Sequence, residues 1–251
     1  MTTRDARIRS LDISDLERIE RFRRSGYGGS ISDALHELGA DETILSSRFL
    51  ALRQGMQLVG RALPVKLHSA VEPGDADSIA AREARWEAAG GHPQKRMMEA
   101  VAAAENGTVL CFDCGGDTQA AHFGELSCQL AYAHGCRGML LGGNCRDTQY
   151  ILQMSDFPMY CFGTRPNAFG GWEIIEVGQP IFLPGHLTHY VQIMAGDFVF
   201  GDNDGVQIIP SHLVDEVLLR VDATFEKENE ERRLLANGMP IDQVYESIGV
   251  L

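Results

Sequence analysis

The stretch GTVLCFDCGGDTQAAHFGELSCQLAYAHGCRGMLLGGNCRD, residues 107–147, decides the fold of this chain. Its first apolar run predicts a β-strand. Leu126, Leu130 and Ala133 then follow at helical spacing up to Gly135, and RGMLLGG predicts a second strand. A strand, a helix and a strand within about 35 residues have the size of a βαβ unit. Such a crossover makes the strands parallel, so both following loops lie at the carboxyl edge, where open α/β sheets bind ligands.

These two loops carry residues suited to an acidic substrate. The first, GGDTQAAHFGEL, delivers Gly124, Glu125 and Leu126 to the start of a helix, and the second, GGNCRD, delivers Arg146 and Asp147. Helix N-termini offer unpaired N–H groups to anions, and an arginine fork matches a carboxylate. An aspartate is a hard oxygen ligand for Mg²⁺. The set predicts a 2-oxo acid bound with its metal, with Glu125 as acid or base, although an ordinary capped helix with a surface ion pair stays an alternative.

The composition argues against nucleic-acid and membrane partners. The formal net charge of −13 and the pI of about 5.0 leave no basic face for general nucleic-acid binding. No apolar run approaches the ~18 residues of a membrane span. The six cysteines, in a chain that starts without an apolar leader, predict reduced thiols in a cytoplasmic protein. Cys111 and Cys114 have no second pair at zinc spacing and are interpreted as small strand residues.

The rest of the chain is expected to complete one domain over residues 1–251. Helices are predicted over about 13–39, short β-rich runs follow the central unit, and a helical tail covers about 211–251. The tail is highly charged. Glu226 or Glu228 would reach a neighbouring subunit's site if this helix packs across an interface, and a solvated helix face is the alternative.

Several single residues near the two loops are also candidates. His122 is a candidate base or substrate contact, or a polar loop residue. Asp113 or Asp117, beside the Gly-Gly turn, is expected to orient a site residue or to serve only the turn, and Asn144 is expected to cap the following helix. The H-x-x-H at residues 186–189 is interpreted as surface or interface histidines, because that spacing in a β-rich stretch does not bring both side chains to one face.

The stretch HFGELSCQLAYAHGCRGMLLGGNCRD resembles the core of the RraA-like family, which includes the 4-hydroxy-4-methyl-2-oxoglutarate/4-carboxy-4-hydroxy-2-oxoadipate aldolases. The family signature is an acidic residue, a twenty-residue spacer and Arg-Asp, and here Glu125, Arg146 and Asp147 match it. SISDAL, GRALPV, AGDFVFGDNDGVQIIP and YESIGVL also fit, so the resemblance covers nearly the whole chain.

The chain also departs from the family pattern. The aldolases usually have Asp where Glu125 stands and glycine where Ala121 stands, which leaves the aldol substrate open. The segment EPGDADSIAAREARWEAAGGHPQ, residues 72–94, is longer than usual and is expected to reshape the pocket.

The resemblance implies an α/β fold, an αββα sandwich with a βαβ core and C-terminal helices, that assembles as a homotrimer or homohexamer with sites at subunit interfaces. It implies a divalent cofactor, Mg²⁺ (or Mn²⁺), held by Asp147. Arg146 would bind and polarise the pyruvyl group, and the backbone of Gly124, Glu125 and Leu126 would contact the substrate carboxylate.

The function thus implied is a metal-dependent lyase that forms pyruvate by retro-aldol cleavage of a 4-hydroxy-2-oxo acid, by oxaloacetate decarboxylation, or by both. Both reactions leave a pyruvate enolate, whose charge Arg146 and a metal would stabilise. The alternative is a non-enzymatic regulator that binds a protein partner such as a ribonuclease, as some members of the family do.

Overall fold

Buried parallel strands form the centre of the structure. A computed structural model describes residues 9–69, 76–88, 90–104, 107–168 and 172–248. The strands are β1 (Leu50–Ala51), β2 (Leu58–Ser69), β3 (Thr108–Asp113), β4 (Ala121–Phe123), β5 (Cys136–Cys145), β6 (Met159–Thr164), β7 (Trp172–Val177), β8 (Ile181–Pro184), β9 (Tyr190–Ile193), β10 (Phe198–Gly201) and β11 (Val206–Ile209). The helices are α1 (Asp15–Ser25), α2 (Gly28–Glu37), α3 (Ala76–Ala88), α4 (Pro93–Ala103), α5 (Glu125–Ala133), α6 (Thr148–Ile151), α7 (Val214–Ala236) and α8 (Ile241–Ile248).

The main sheet combines a parallel centre with antiparallel flanks. Among the described residues it has nine strands, in the order β1-β6-β5-β3-β2-β10-β11, with β4 also paired to β5 and β7 to β2. Strands β2, β3, β5 and β6 run parallel, whereas β1, β10 and β11 run antiparallel to their neighbours. Strands β8 and β9 form a separate antiparallel hairpin. The predicted α/β fold is confirmed.

The predicted βαβ unit is present as β3, α5 and β5. Strand β3 pairs in parallel with β5, for example Phe112 with Leu141, and α5 makes the crossover between them. Burial explains the sequence pattern, because β3 is covered on both faces and therefore reads as a continuous apolar run. Alternate side chains divide between two clusters: Phe112 packs towards α4 and α5, and Cys111 packs towards the β8–β9 hairpin.

Two local expectations at the second loop are wrong. Strand β5 extends as far as Cys145, because its end pairs in parallel with the three-residue strand β4 on one side and with β6 on the other. Residues 142–145 are therefore strand rather than loop. Asn144 is buried and donates its amide Nδ2 to the Ala120 carbonyl at 3.2 Å, so it does not cap the next helix, and Asp147 occupies that N-cap position.

Helices enclose the remaining faces. Helices α1, α2 and α7 form a third apolar cluster with β10 and β11. Helices α1 and α2 lie within residues 13–39, and α7 and α8 lie within the predicted C-terminal tail. Helices α3 and α4 lie on either side of the Gly-Gly-His-Pro break. Of the predicted domain, residues 1–8 and 249–251 are outside the described residues, as are residues 72–75 and 89 of the long segment.

The state of the cysteines is the one that the composition predicts. All six cysteines are buried and free. Burial raises the pKa of the Cys111 and Cys114 thiols well above the ordinary value, so these two behave as small core residues. No helix in the described part of the chain is long and apolar enough to cross a membrane.

Candidate active site

The structure brings the two predicted loops into direct contact. The backbone N–H of Arg146 donates to the Phe123 carbonyl at 3.0 Å, which joins the ends of β4 and β5. The N–H of Glu125, the first residue of α5, donates to Oδ2 of Asp147 at 3.3 Å. The Arg-Asp pair therefore lies against the N-terminus of α5, at the carboxyl edge of the parallel strands.

Gly124 permits this close approach. It is the N-cap residue of α5 with a φ of −123°, an ordinary extended conformation that any residue adopts. A Cβ atom built there would lie 2.6 Å from Oδ2 of Asp147 and 3.3 Å from Nε of Arg146. The glycine is therefore required by the space between the two loops rather than by its backbone angles. The sequence indicated Gly124 as a substrate contact but not this steric role.

Asp147 has an unusual backbone conformation. With φ 58° and ψ 31° it is left-handed, and it is the one non-glycine residue with positive φ among those the structure describes. Aspartate tolerates this region better than most residues, but the conformation still costs on the order of 1 kcal/mol. Such strained residues cluster at functional sites. The strain therefore marks Asp147 as a functional candidate, independently of its sequence motif.

Arg146 and Asp147 form an open ion pair. Nε of Arg146 lies 3.5 Å from Oδ2 of Asp147, and the two side chains are 42% and 44% exposed. A pair this exposed contributes about 0–1 kcal/mol to stability. Its geometry leaves the guanidinium accessible to a bound anion.

Glu125 and Leu126 complete the predicted set at the start of α5. The half-buried Glu125 accepts a hydrogen bond at Oε1 from Nε2 of Gln129, one turn further along the helix, at 2.9 Å. Leu126 has its side chain on the surface, 80% exposed, so only its backbone is suited to contact a carboxylate. N–H groups in the first turn of a helix have no partners within the helix.

The donors at Asp147 fit a water-rich divalent cation. Oδ2 accepts the Glu125 N–H, and Oδ1 has no hydrogen-bond partner among the described residues. Within the same residues, no group of three or more His, Cys, Asp and Glu side chains could hold a metal. Zinc sites need such a group, whereas Mg²⁺ often binds through one or two carboxylates and keeps several waters. The residues therefore suit Mg²⁺ or Mn²⁺ better than zinc.

His122 contacts the end of β5 and the first loop through its two ring nitrogens. Its Nδ1 accepts the backbone N–H of Asn144 at 3.1 Å, and its Nε2 lies 3.2 Å from Oδ2 of Asp117. Burial lowers the pKa of His122, although Asp117 opposes the shift, so burial favours the neutral form of the ring. Both ring nitrogens thus face groups of the same chain. Asp117 orients this ring, whereas Asp113 pairs with Lys66 at 3.2 Å.

No hydrogen bond or ion pair among the described residues joins the remaining candidates to the Arg-Asp pair. His186 and His189 are exposed, as expected. Glu228 is held within its own chain, because it accepts a hydrogen bond from the hydroxyl of Tyr27 and pairs with Arg232 at 2.7 Å. Glu226 lies exposed on α7.

Comparisons with known proteins identify related sequences. The sequence profile described as RraA-like, Aldolase/RraA, matches residues 29–208. A protein of Halalkalibacterium halodurans, provisionally named 4-hydroxy-4-methyl-2-oxoglutarate aldolase, is 30% identical over 212 residues, which are 84% of this chain and 86% of that protein. Protein DlpA of Legionella pneumophila is 24% identical over 86% of this chain, which spans only 31% of DlpA.

A solved structure shows the same fold. Streptomyces coelicolor RraAS2, described as an unusual member of the RNase ES inhibitor RraA protein family, superimposes with a TM-score of 0.65. It is 21% identical, and the match covers 90% of this chain and all of that one. At this identity the likeness concerns the fold alone. Because the profile matches most of the chain and the H. halodurans protein matches at both sequence and length, the chain belongs to the RraA-like family.

Proposed function

We propose that this chain is a divalent-metal-dependent lyase that acts on 2-oxo acids. It would release pyruvate by retro-aldol cleavage of a 4-hydroxy-2-oxo acid, by decarboxylation of oxaloacetate, or by both. The observation that carries the proposal is the contact between the Arg146–Asp147 pair and the N-terminus of α5, with Asp147 in a strained left-handed conformation. The provisional name of the H. halodurans relative supports the same reaction class.

The substrate carboxylate would bind between Arg146 and the first turn of α5. The guanidinium offers two parallel N–H donors, and the helix start offers the positive end of its dipole and backbone N–H groups other than that of Glu125, which Asp147 accepts. The backbone is fixed before the substrate arrives, since the Arg146 N–H donates to the Phe123 carbonyl and Gly124 permits the close approach of the two loops. Fixed donors favour the charge that develops during the reaction.

Retro-aldol cleavage needs one base and one site for negative charge. A base takes the proton of the C4 hydroxyl, the C3–C4 bond breaks, and the C4 oxygen becomes a carbonyl. The bonding pair moves to C3 and gives the pyruvate enolate, which is then protonated at C3. We assign the base to Glu125, whose carboxylate lies at the same helix start, and the charge stabilisation to Arg146. A cation held by Asp147 would supply additional positive charge for the enolate oxygen.

Decarboxylation of oxaloacetate uses the same parts without the base. The C3–C4 bond breaks with loss of carbon dioxide, and the pair again forms the pyruvate enolate. No hydroxyl proton has to be removed. Glu125→Gln is therefore expected to abolish aldol cleavage while oxaloacetate decarboxylation is retained.

The test measures pyruvate release from oxaloacetate and from 4-hydroxy-2-oxo acids with Mg²⁺ and with EDTA. Arg146→Ala is expected to lower the turnover number by about 100-fold or more, the usual cost of removing a fixed charge-stabilising donor. Arg165→Ala is the matched control, because Arg165 follows the carboxyl end of the neighbouring strand β6 and donates to the Thr164 carbonyl. Absence of metal-dependent turnover for every substrate would reject the lyase hypothesis. The non-enzymatic regulator would then remain, and its binding to a ribonuclease should persist in EDTA and in the Asp147→Ala variant.

A further inference from the structure

A cavity of about 280 Å³ lies beside the first turn of α5. Its walls come from strands β2, β3, β4 and β7 and from helices α3, α4 and α5. The rings of Trp86, Phe112 and Phe123 line it together with apolar side chains such as Met97. Apolar cavities of about 150 Å³ already admit benzene, so this space is large enough for a phenyl ring.

The cavity lies close to the proposed carboxylate site. Phe123 directly precedes Gly124, and its carbonyl accepts the N–H of Arg146. Ser127 lies within the first turn of α5, and both Phe123 and Ser127 line the cavity. A substrate whose carboxylate contacts Arg146 and the start of α5 would therefore be able to direct its other end towards this space.

The lining is polar in places but carries no fixed charge. Among the described residues that line it there is no carboxylate, ammonium or guanidinium group. The polar groups satisfy one another: Nε2 of Gln94 donates to Oγ of Ser127 at 3.2 Å, and Nδ1 of His92 accepts the N–H of Gln94 at 3.1 Å. Burial favours the neutral form of the His122 ring. The nearby guanidinium of Arg82 lies over the Trp86 ring, 5.0 Å from its centroid, and is not among the lining side chains. A carboxylate placed here would lose its hydration with no cation among the lining side chains to pair with, which is costly.

The described residues of α3 and of the start of α4 build one side of this cavity. Two aromatic residues, Trp86 of α3 and His92 at the cap of α4, pack edge to face with ring centroids 4.5 Å apart. The contact between Gln94 and Ser127 joins α4 to α5.

We infer that the cavity receives an uncharged apolar group, most suitably an aromatic ring, carried on C4 of the substrate. The preferred substrate would then be a 4-hydroxy-2-oxo acid with a single carboxylate. The named substrate of the H. halodurans relative, 4-hydroxy-4-methyl-2-oxoglutarate, has two carboxylates. This inference rests on the proposed function and specifies its substrate class.

The first experiment compares kcat/KM for two substrates. Cleavage of 4-hydroxy-4-phenyl-2-oxobutanoate breaks the C3–C4 bond and gives benzaldehyde and pyruvate, and the same step on 4-hydroxy-2-oxoglutarate gives glyoxylate and pyruvate. We expect the phenyl substrate to be favoured about tenfold or more, the usual discrimination of an apolar pocket. A preference for the dicarboxylate would overturn the inference.

A charge placed in the cavity should reverse the preference. Gln94→Arg adds a cation to the wall, so the ratio of the two kcat/KM values should move towards the dicarboxylate by about tenfold or more. Gln179→Arg makes the same change at an exposed position between β7 and β8, and it should leave both the ratio and oxaloacetate decarboxylation unchanged. An unchanged ratio in Gln94→Arg would contradict the inference.

A binding measurement gives a readout that does not depend on turnover. The chain has two tryptophans, so Trp172→Phe leaves Trp86 as the single fluorescent reporter in the cavity. Benzaldehyde should change the Trp86 fluorescence saturably, and glyoxylate should not. Equal responses would count against the cavity as an apolar subsite.

Turnover of oxaloacetate and the dicarboxylate alone would reject this inference and leave the proposed function intact. No turnover of any 2-oxo acid would reject both.

Discussion

Replacing Gly124 by alanine tests whether the contact between the two loops is catalytic. The new Cβ would lie 2.6 Å from Oδ2 of Asp147, whereas ordinary contact begins at 3.4 Å, so the carboxylate must move by about 0.8 Å. Nε of Arg146, at 3.3 Å from the same Cβ, has to shift by a few tenths of an ångström. Displacements near 1 Å in a catalytic group cost about 100-fold in rate.

We therefore expect Gly124→Ala to lower the turnover number for oxaloacetate by about 10- to 100-fold. The stability should change little, because the φ of −123° suits alanine and the displaced Asp147 side chain is exposed. We expect the free energy of unfolding to change by less than about 1 kcal/mol. The assay couples pyruvate release to lactate dehydrogenase at saturating Mg²⁺, alongside thermal unfolding of the same preparations.

Gly163→Ala is the matched control. A Cβ at Gly163 would make one ordinary contact, 3.4 Å from Oδ1 of Asn144, so both activity and stability should be retained. Full activity in Gly124→Ala would refute the reasoning, because it would show that the position of the Asp147 carboxylate does not matter. A large loss of stability with unchanged turnover per folded molecule would show that the contact serves only the fold.

Three further predictions concern backbone strain and pH. Asp147→Gly removes the strain of the left-handed conformation, so its free energy of unfolding should be higher than that of wild type or at most about 1 kcal/mol lower, while metal-dependent turnover is lost. A strongly destabilised variant would contradict this. Burial lowers the pKa of His122, so the neutral ring stabilises the fold above pH 6.5, and this stability is lost as the pH falls through the pKa of the folded state. His122→Asn should therefore reduce the change in melting temperature between pH 7.5 and 5.5. An unaltered profile would show that another group causes the change. Hydrogen bonds from Arg9 and Arg220 hold the pKa of Glu216 at about 2, so the ionised carboxylate stabilises the fold above about pH 4.5 and this stability is lost as the pH falls through 2. Because Arg9 is 59% exposed, Glu216→Gln should lower the free energy of unfolding at pH 7 by only about 1 kcal/mol. Equal stabilities at pH 7 would show that the pair contributes nothing.

Local patterns predicted the centre of the fold. Strands β3 and β5 are apolar runs because both of their faces are covered, and α5 between them shows helical periodicity. A helical crossover makes the two strands parallel, so the loops that follow them had to lie at the same, carboxyl edge of the sheet. The spacing from Glu125 to Arg146 carried the family resemblance.

The pairing of β4 with β5 could not be predicted. Strand β4 has three residues, too few for any periodicity, and it pairs with the end of β5 across 22 or more residues of chain. Pairing with β3, β4 and β6 makes residues 142–145 strand, and the helix cap is Asp147 rather than Asn144. The sequence signal for an N-cap, an Asn or Asp before a short helix, is present at both Asn144 and Asp147.

The sequence by itself determined the parallel unit, the residue types of the site and the edge on which they lie, because periodicity and chain handedness act locally. Only the tertiary structure decided how those residues meet. The steric role of Gly124 depends on side chains 22 and 23 positions away, and the left-handed Asp147 depends on strands that pair around it. The apolar cavity beside α5 likewise requires α3 and α4 to pack against the sheet. Such contacts join segments far apart in the chain, so residue spacing within one segment does not predict them.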